Sequence, residues 1–298
     1  MAGLLSALVV GLVPLARPVF GNAQRLDSKR HAQPHMQSQQ KNLLVLGGGG
    51  FAGAEICRNA VRKGFKVTSL TRRGENPKPD DPDLSMVNWI RGDATDRKTV
   101  KKLVDNADAV VHAVGVLFDA NTGFLQKLSP IVSGSNSQPG PDSTYDNLTR
   151  KTALIVLDSI KQRLPTPFAQ PIPVVFVSCA EAGWPEVTFG EQIDAAAPEW
   201  LQRYLAAKRA VEGELEKCDR IRPIILRPSF IWTWTKLDIL PVIPLWNTLA
   251  AVGVPFIDKT VRVETLAKAA VTGLCDASVS GPQRVGQMES LAARLEEY

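Results

Sequence analysis

Apolar and polar positions alternate in regular blocks from residue 42 onward. Residues 42–47 (NLLVLG) read as a short buried strand, and 52–64 carries Ala54, Ile56, Ala60 and Val61 at helical spacing before Gly64, a helix-stopping residue. The same reading predicts a second strand over 65–70, a third over 86–93, a helix over 96–107 capped by Asp96, and a fourth strand over 108–115. A long amphipathic helix is predicted over 145–164, a fifth strand over 172–178, a helix over 198–218, and a sixth strand with its exit turn over 222–232. Strands that alternate with helices in this way predict an α/β fold, a Rossmann-type doubly wound parallel sheet.

Three stretches break the rhythm. Residues 116–143 are rich in Gly, Ser and Pro and read as either a functional loop or disorder. Residues 232–256 are apolar and aromatic, with Pro241, Pro244 and Pro255 expected to prevent one continuous helix. They read as the core of a small cap or, more sharply, as an apolar chute or membrane-facing patch, given Trp232, Trp234 and Trp246. The third stretch is the N-terminus. Residues 4–16 are apolar but too short to span a bilayer, no basic residue precedes them, and Arg17, Arg25, Lys29 and Arg30 follow against the single acid Asp27. That order is closer to a mitochondrial transit peptide than to a secretory signal. The expected organisation is therefore a leader over 1–40, a nucleotide-binding Rossmann domain over 41–232, and a substrate-side cap with closing helices over 233–298.

Composition narrows the chemistry. The net charge of +5 is not gathered into like-charge blocks interleaved with aromatics, so nucleic-acid binding is not expected. Cys57, Cys179, Cys218 and Cys275 are scattered without metal-ligand spacing, so neither a metal site nor a disulfide framework is expected, and a reducing compartment is.

The turn after the first strand carries the strongest signal. Gly47, Gly50 and Gly53, with Phe51 among them, form GxxGxxG between a strand and a helix. The first glycine permits the tight turn, the second lets backbone approach a pyrophosphate, and the third lets helix pack on strand. At the end of the second strand, where an acid would bond the ribose hydroxyls of NAD(H), the chain reads Leu70-Thr71-Arg72-Arg73. Two guanidiniums suit a 2′-phosphate, which favours NADP(H) over NAD(H). Asp93 is placed either to meet the adenine or to cap the next helix.

Tyr204 and Lys208 stand four apart on one predicted helix, hence on one face. An ammonium beside a phenol is expected to lower its pKa, so that Tyr204 shuttles a proton while Lys208 holds the nicotinamide ribose. Ser178, at the end of the fifth strand, is the candidate to orient a substrate oxygen, with Cys179 and Ala180 directly after it. His112 reads as a strand-end residue lining the cofactor, and Glu181, Glu186 and Glu191 read as solvated loop residues.

Taken with the "RPSFIW" strand exit, these residues resemble the atypical and extended short-chain dehydrogenase/reductase superfamily. The wording of "GGGGFAGAEICRNAVRKGFKVTSLTRRG", "VVHAVG", "YDNLTRKTALIVLDSIKQ", "VSCAEAGWP" and "YLAAKRAVEGELEK" more narrowly resembles the fungal mitochondrial accessory proteins of the coenzyme Q biosynthetic complex, over about residues 42–232. A more distant resemblance is to the nucleotide-binding accessory subunit of respiratory complex I. The narrower resemblance implies a location on the matrix side of the mitochondrial inner membrane, partners in the ubiquinone-synthesising complex and a bound nicotinamide nucleotide, and the apolar stretch over 232–256 would suit a polyprenylated quinone precursor. It leaves two classes of role open: an NADP(H)-dependent oxidoreductase, or a non-catalytic assembly or regulatory subunit of that complex or of complex I. The chain departs from the superfamily pattern at Leu46, where Thr is common, at Thr149, where the helix often supplies Asn (Asn147 stands two earlier), and at Ser229 and Trp232 in the strand exit.

Overall fold

Leu43 to Leu46 are all 2% exposed or less, which is what a strand covered on both faces requires, and this strand sits near the middle of the sheet. The computed structural model describes residues 40–116, 144–164, 170–234, 242–254 and 256–295. The leader reading (apart from residue 40) and nearly all of the 116–143 loop lie outside them.

Seven parallel strands form one sheet in the order β3-β2-β1-β4-β5-β6-β9. They are β1 (Asn42–Leu46), β2 (Lys66–Thr71), β3 (Asn88–Arg91), β4 (Ala109–His112), β5 (Ile172–Val177), β6 (Ile221–Leu226) and β9 (Gly281–Gln283). A separate two-stranded parallel ribbon pairs β7 (Ile231–Trp232) with β8 (Val261–Arg262). The doubly wound architecture expected from the sequence is thus present. The strand order reverses between β1 and β4, the position at which such sheets open a crevice at their carboxyl ends.

Helices cover both faces. On one, α1 (Phe51–Arg62), the short α2 (Pro82–Ser85), α8 (Val263–Cys275) and α9 (Val285–Arg294) bury Ile56, Leu84, Leu266 and Met288 against the sheet. On the other, α3 (Arg97–Asp105), α4 (Thr152–Lys161) and α6 (Glu199–Glu216) bury Val100, Val156, Leu157 and Val211. Asp96 caps α3 as predicted, its carboxylate accepting from the Lys98 N–H at 3.0 Å. Local features depart from simple periodicity at three places. Residues Asp146–Lys151 form a π turn that leads into α4. A 3₁₀ turn (Ala180–Glu186) and α5 (Gly190–Ala196) follow β5. Pro244 sits in the first turn of α7 (Val242–Ala251), where its missing N–H costs nothing, so a ten-residue helix forms within the proline-punctuated stretch.

One buried ionic network fixes α6 to the strand ends. Arg227, just past β6, is 5% exposed and Glu212 on α6 is 4% exposed. The guanidinium donates to Glu212 Oε2 from Nη2 at 2.7 Å and to Glu186 of the 3₁₀ turn from Nη1 at 2.8 and 2.9 Å. Ser178 Oγ donates to Glu212 Oε1, bringing the end of β5 into the same network.

Removing Glu212 leaves the buried Arg227 guanidinium with only the exposed Glu186 carboxylate and deprives the buried Ser178 hydroxyl of its acceptor. We expect Glu212→Ala to lower the stability of the folded chain by about 3–5 kcal/mol. Lys101→Ala, which breaks the half-exposed i,i+4 pair with Asp105, should change it by less than about 0.5 kcal/mol. Urea unfolding midpoints for the two variants check the contrast, and equal midpoints would show that the network carries no such weight.

Candidate functional site

The glycine turn follows directly from β1. Gly47 adopts φ +86°, donates its N–H to the Leu70 carbonyl at 3.1 Å and accepts the Gly50 N–H at 3.0 Å. A Cβ on Gly53 would lie 2.2 Å from the Gly47 carbonyl oxygen, so α1 is drawn onto the turn more closely than any side chain allows. Gly50 begins α1 in extended geometry with no side-chain cap, and the helix has no acid in its first turn. Phe51 is the first helical residue and is half-buried. A turn compressed on its inner side, with an uncapped helix N-terminus facing outward and no competing carboxylate, fits the pyrophosphate of a dinucleotide.

Thr71 closes β2, and Arg72 and Arg73 after it are exposed, with no acid between Leu70 and Gly74. Asp93 is placed otherwise. Its carboxylate accepts the Thr95 N–H at 2.8 Å and its carbonyl accepts the Asp96 N–H at 3.0 Å, so it closes the turn before α3, while Asp96 caps the helix itself. Hydrogen bonds from the Thr99 hydroxyl and the Lys98 N–H hold the Asp96 carboxyl below its ordinary range.

On α6, Tyr204 and Lys208 lie one turn apart, as expected. Lys208 is 3% exposed, and its Nζ donates to the Val177 carbonyl at 2.7 Å. The ammonium also lies 4.9 Å from the Phe176 ring centroid and 5.6 Å from that of Tyr204. Burial lowers the Lys208 pKa, partly offset by Cys179 and Glu212. The expected depression of the phenol is overturned. Burial, reinforced by Cys179 and Glu181, raises the Tyr204 pKa well above 10, and Lys208 spends its short contact on a backbone carbonyl. Tyr204 in this arrangement is a neutral phenol.

Ser178 also departs from expectation. It is 4% exposed and its hydroxyl is given to Glu212, inside the network beneath α6. Successive residues of an extended segment face opposite ways, so it is Cys179 that packs against Tyr204, together with Leu205 and Trp184. Burial pushes the Cys179 thiol far above its ordinary pKa. His112, at the end of β4, is 2% exposed. Its Nε2 lies 2.8 Å from Thr152 Oγ1, its ring centroid 5.5 Å from that of Phe176, and burial with the nearby Lys208 charge drives its pKa down to about 3. It is therefore a neutral interior residue.

Several participants carry no obvious sequence signal. The Tyr145 ring, 3% exposed, meets the Tyr204 ring edge-on at 5.4 Å, delivered by the segment that leads into the π turn. Glu212 stands four residues after Lys208, a spacing that was available to point to it. Glu186 is not a free solvated acid, since it pairs with Arg227, and burial raises the Glu181 pKa. Trp246 is committed to the cap: its indole N–H donates to the Asp258 carbonyl at 3.0 Å and its ring meets Phe230 at 5.4 Å. Trp234, against Trp232 at 5.0 Å, remains 63% exposed. Among the described residues, no group of three or more His, Cys, Asp or Glu side chains is arranged to hold a metal ion.

The turn and the lysine meet at the switch point. A Cβ on Gly47 would lie 2.8 Å from the Ala113 carbonyl oxygen after β4, and a Cβ on Gly115 would lie 3.7 Å from Lys208 Nζ. The glycine turn, the exit of β4 and the α6 ammonium thus border one crevice.

Comparison with known proteins follows the same lines. Residues 43–126 match the NAD dependent epimerase/dehydratase family. The chain is 30% identical over 215 residues to MIOREX complex component 2 of Saccharomyces cerevisiae, covering 64% of this chain and 72% of that protein. A short-chain type dehydrogenase/reductase from Mycobacterium ulcerans superposes with a TM-score of 0.54 at 18% identity, covering 87% of this chain and 95% of that one. The Bordetella bronchiseptica enzyme WbmF, solved in complex with NAD+, superposes with a TM-score of 0.52 at 17% identity, covering 87% of this chain and 78% of that one. The two superpositions concern the fold. The extent of the yeast relative shows that the chain belongs to the same family as that protein, and its glycine turn lies in a segment of the NAD dependent epimerase/dehydratase type.

Proposed function

We propose that this protein binds NADP(H) at the crevice between β1 and β4 and acts as an oxidoreductase on a quinone precursor in mitochondrial ubiquinone biosynthesis. The observation that carries the reading is the meeting of an uncapped glycine turn, Lys208 and a neutral phenol at one strand switch point. A bound nicotinamide nucleotide supplies hydride chemistry. Gly47, Gly50, Phe51 and Gly53 cradle the pyrophosphate, and Arg72 and Arg73 take the 2′-phosphate. Lys208 has donors beyond the one given to Val177 for the ribose hydroxyls. Tyr204, held protonated by burial, donates a proton to a substrate carbonyl oxygen, which suits the reductive direction. The mitochondrial assignment rests on the composition of the leader and on the resemblance to coenzyme Q accessory proteins. That resemblance also supports the matrix side of the inner membrane and partners in the ubiquinone-synthesising complex.

A second reading has its own support. Ser178 is committed to Glu212, and the yeast relative is named as the component of a complex. A non-catalytic subunit that uses the nucleotide as a structural ligand needs neither a free serine nor turnover, and the assembly it serves would be the ubiquinone-synthesising complex or respiratory complex I.

The apolar cap supports contact with a membrane surface or a polyprenylated precursor. Helix α7 contains no charged residue, and Pro244, Leu245 and Ala251 on it and Val252 just beyond it are exposed. None of the described helices is long and apolar enough to cross a membrane.

Kinetics, complementation and vesicle flotation test these readings. Tyr204→Phe should keep NADPH affinity within about twofold yet lower the rate of quinone-precursor reduction by about a hundredfold or more, as loss of a general acid does. Full restoration of quinone levels by this variant in a deletion strain would remove the oxidoreductase reading and leave the subunit reading. Because the phenol is raised, loss of the Tyr204 proton should not lower the reductive rate below about pH 10, and a fall between about pH 7 and 8 that persists in Lys208→Arg, which stays charged, would mean that Tyr204 is not the acid. In flotation with vesicles of inner-membrane lipid composition, Trp234→Ala combined with Leu245→Ala should reduce bound protein severalfold, and absence of binding by the unsubstituted protein would exclude the membrane contact.

A further inference from the structure

The NADP(H) reading leaves one neighbouring guanidinium without a role. Arg91 ends β3, and its register partner across the sheet is Thr71, the residue immediately before Arg72. Adjacent strands lie about 5 Å apart, so the Arg91 and Arg72 backbones leave the sheet side by side. The loop between them is folded back onto Arg91. Gly74, at φ +69°, donates its N–H to Thr71 Oγ1 at 2.9 Å, and a Cβ there would lie 2.5 Å from Arg91 Cβ and 2.6 Å from its backbone nitrogen.

The charges at this corner are unlike the rest of the surface. Elsewhere among the described residues the exposed arginines have carboxylate partners: Arg62 with Asp83, Arg97 with Asp158, Arg150 with Asp146 and Arg262 with Glu264. Arg72 and Arg91 are both exposed and have no partner among the described residues. The carboxylate of Asp93, two residues after Arg91, is occupied by the Thr95 N–H. Two positive charges at neighbouring strand ends, neither paired with a carboxylate, favour a dianion bound between them.

We infer that Arg91 is a third guanidinium of the site that takes the 2′-phosphate, acting from β3 opposite Arg72 and Arg73. The inference rests on the NADP(H) reading and deepens it. That reading needs only the loop arginines, whereas this one makes the preference depend on a residue of the edge strand. The contact is a point-to-fork charge interaction with a phosphate oxygen and involves no chemistry at the nicotinamide end.

Isothermal titration of the full chain with NADPH, NADH and 2′,5′-ADP tests it without any turnover. Arg91→Gln keeps the aliphatic stem of an exposed residue, and an unchanged melting temperature would show that the fold is intact. We expect it to weaken NADPH and 2′,5′-ADP by about tenfold while leaving NADH within about twofold, the size of one charge-assisted contact. The NADPH advantage should also shrink as salt is raised from about 0.05 to 0.5 M. If Arg91→Gln leaves all three affinities unchanged while Arg72→Gln or Arg73→Gln abolishes the preference, the role of Arg91 is overturned and the NADP(H) reading stands. If the unsubstituted protein binds NADH as well as NADPH, both fail together.

Discussion

The pairing of Arg227 with Glu212 is the contact on which the geometry of the site depends. Each is at least 95% removed from solvent, and together they join four segments: the exits of β5 and β6, the 3₁₀ turn and the middle of α6. Neither charge is tolerable alone in that environment, so the guanidinium dictates where α6 must lie before Tyr204 or Lys208 is considered. The helix then carries Lys208 to the Val177 carbonyl and Tyr204 to Cys179 and Tyr145. An apolar replacement of similar volume would pack as well, but it would not choose one register for the helix over another.

At the other side of the switch point the constraint is steric. The glycine turn is pressed between α1, β2 and the exit of β4, with ideal Cβ positions on Gly48 and Gly53 falling 2.2 Å from Ser69 Oγ and from the Gly47 carbonyl oxygen. Close packing on three sides leaves only the outward side for a ligand, and on that side the first turn of α1 offers backbone dipoles without a carboxylate. The crevice is thus built from an ionic clamp on one wall and a compressed backbone on the other.

Much of this was legible in the sequence, for identifiable reasons. Strands buried on both faces, such as β1 and β4, read as short apolar runs, and six of the seven strands follow from the alternation of strand and helix blocks. The glycine turn, the Asp96 cap and the pairing of Tyr204 with Lys208 on one helix face follow from local spacing alone. What escaped depends on information that spacing does not carry. β9 is three residues long and contains Gly and Pro, so its membership in the sheet comes from its neighbour β6 and not from its own pattern. The commitment of the Ser178 hydroxyl to Glu212, one turn beyond Lys208 on α6, is a tertiary contact that its place at a strand end does not announce. The pKa of Tyr204 depends on burial contributed by Tyr145 and Cys179, which are 59 and 25 positions away in the chain.

The seventh strand has a kinetic meaning. Ile224 of β6 finds its partner Gly281 more than fifty residues later, and the Arg227 N–H waits for the Gln283 carbonyl. Until that segment arrives during synthesis, β6 presents a naked edge beside an ion pair whose members have all been made. Such an edge is a template for unwanted intermolecular pairing. The nascent chain therefore passes through a stage in which its clamp exists but its sheet is unsealed, and a chaperone would find its natural work there.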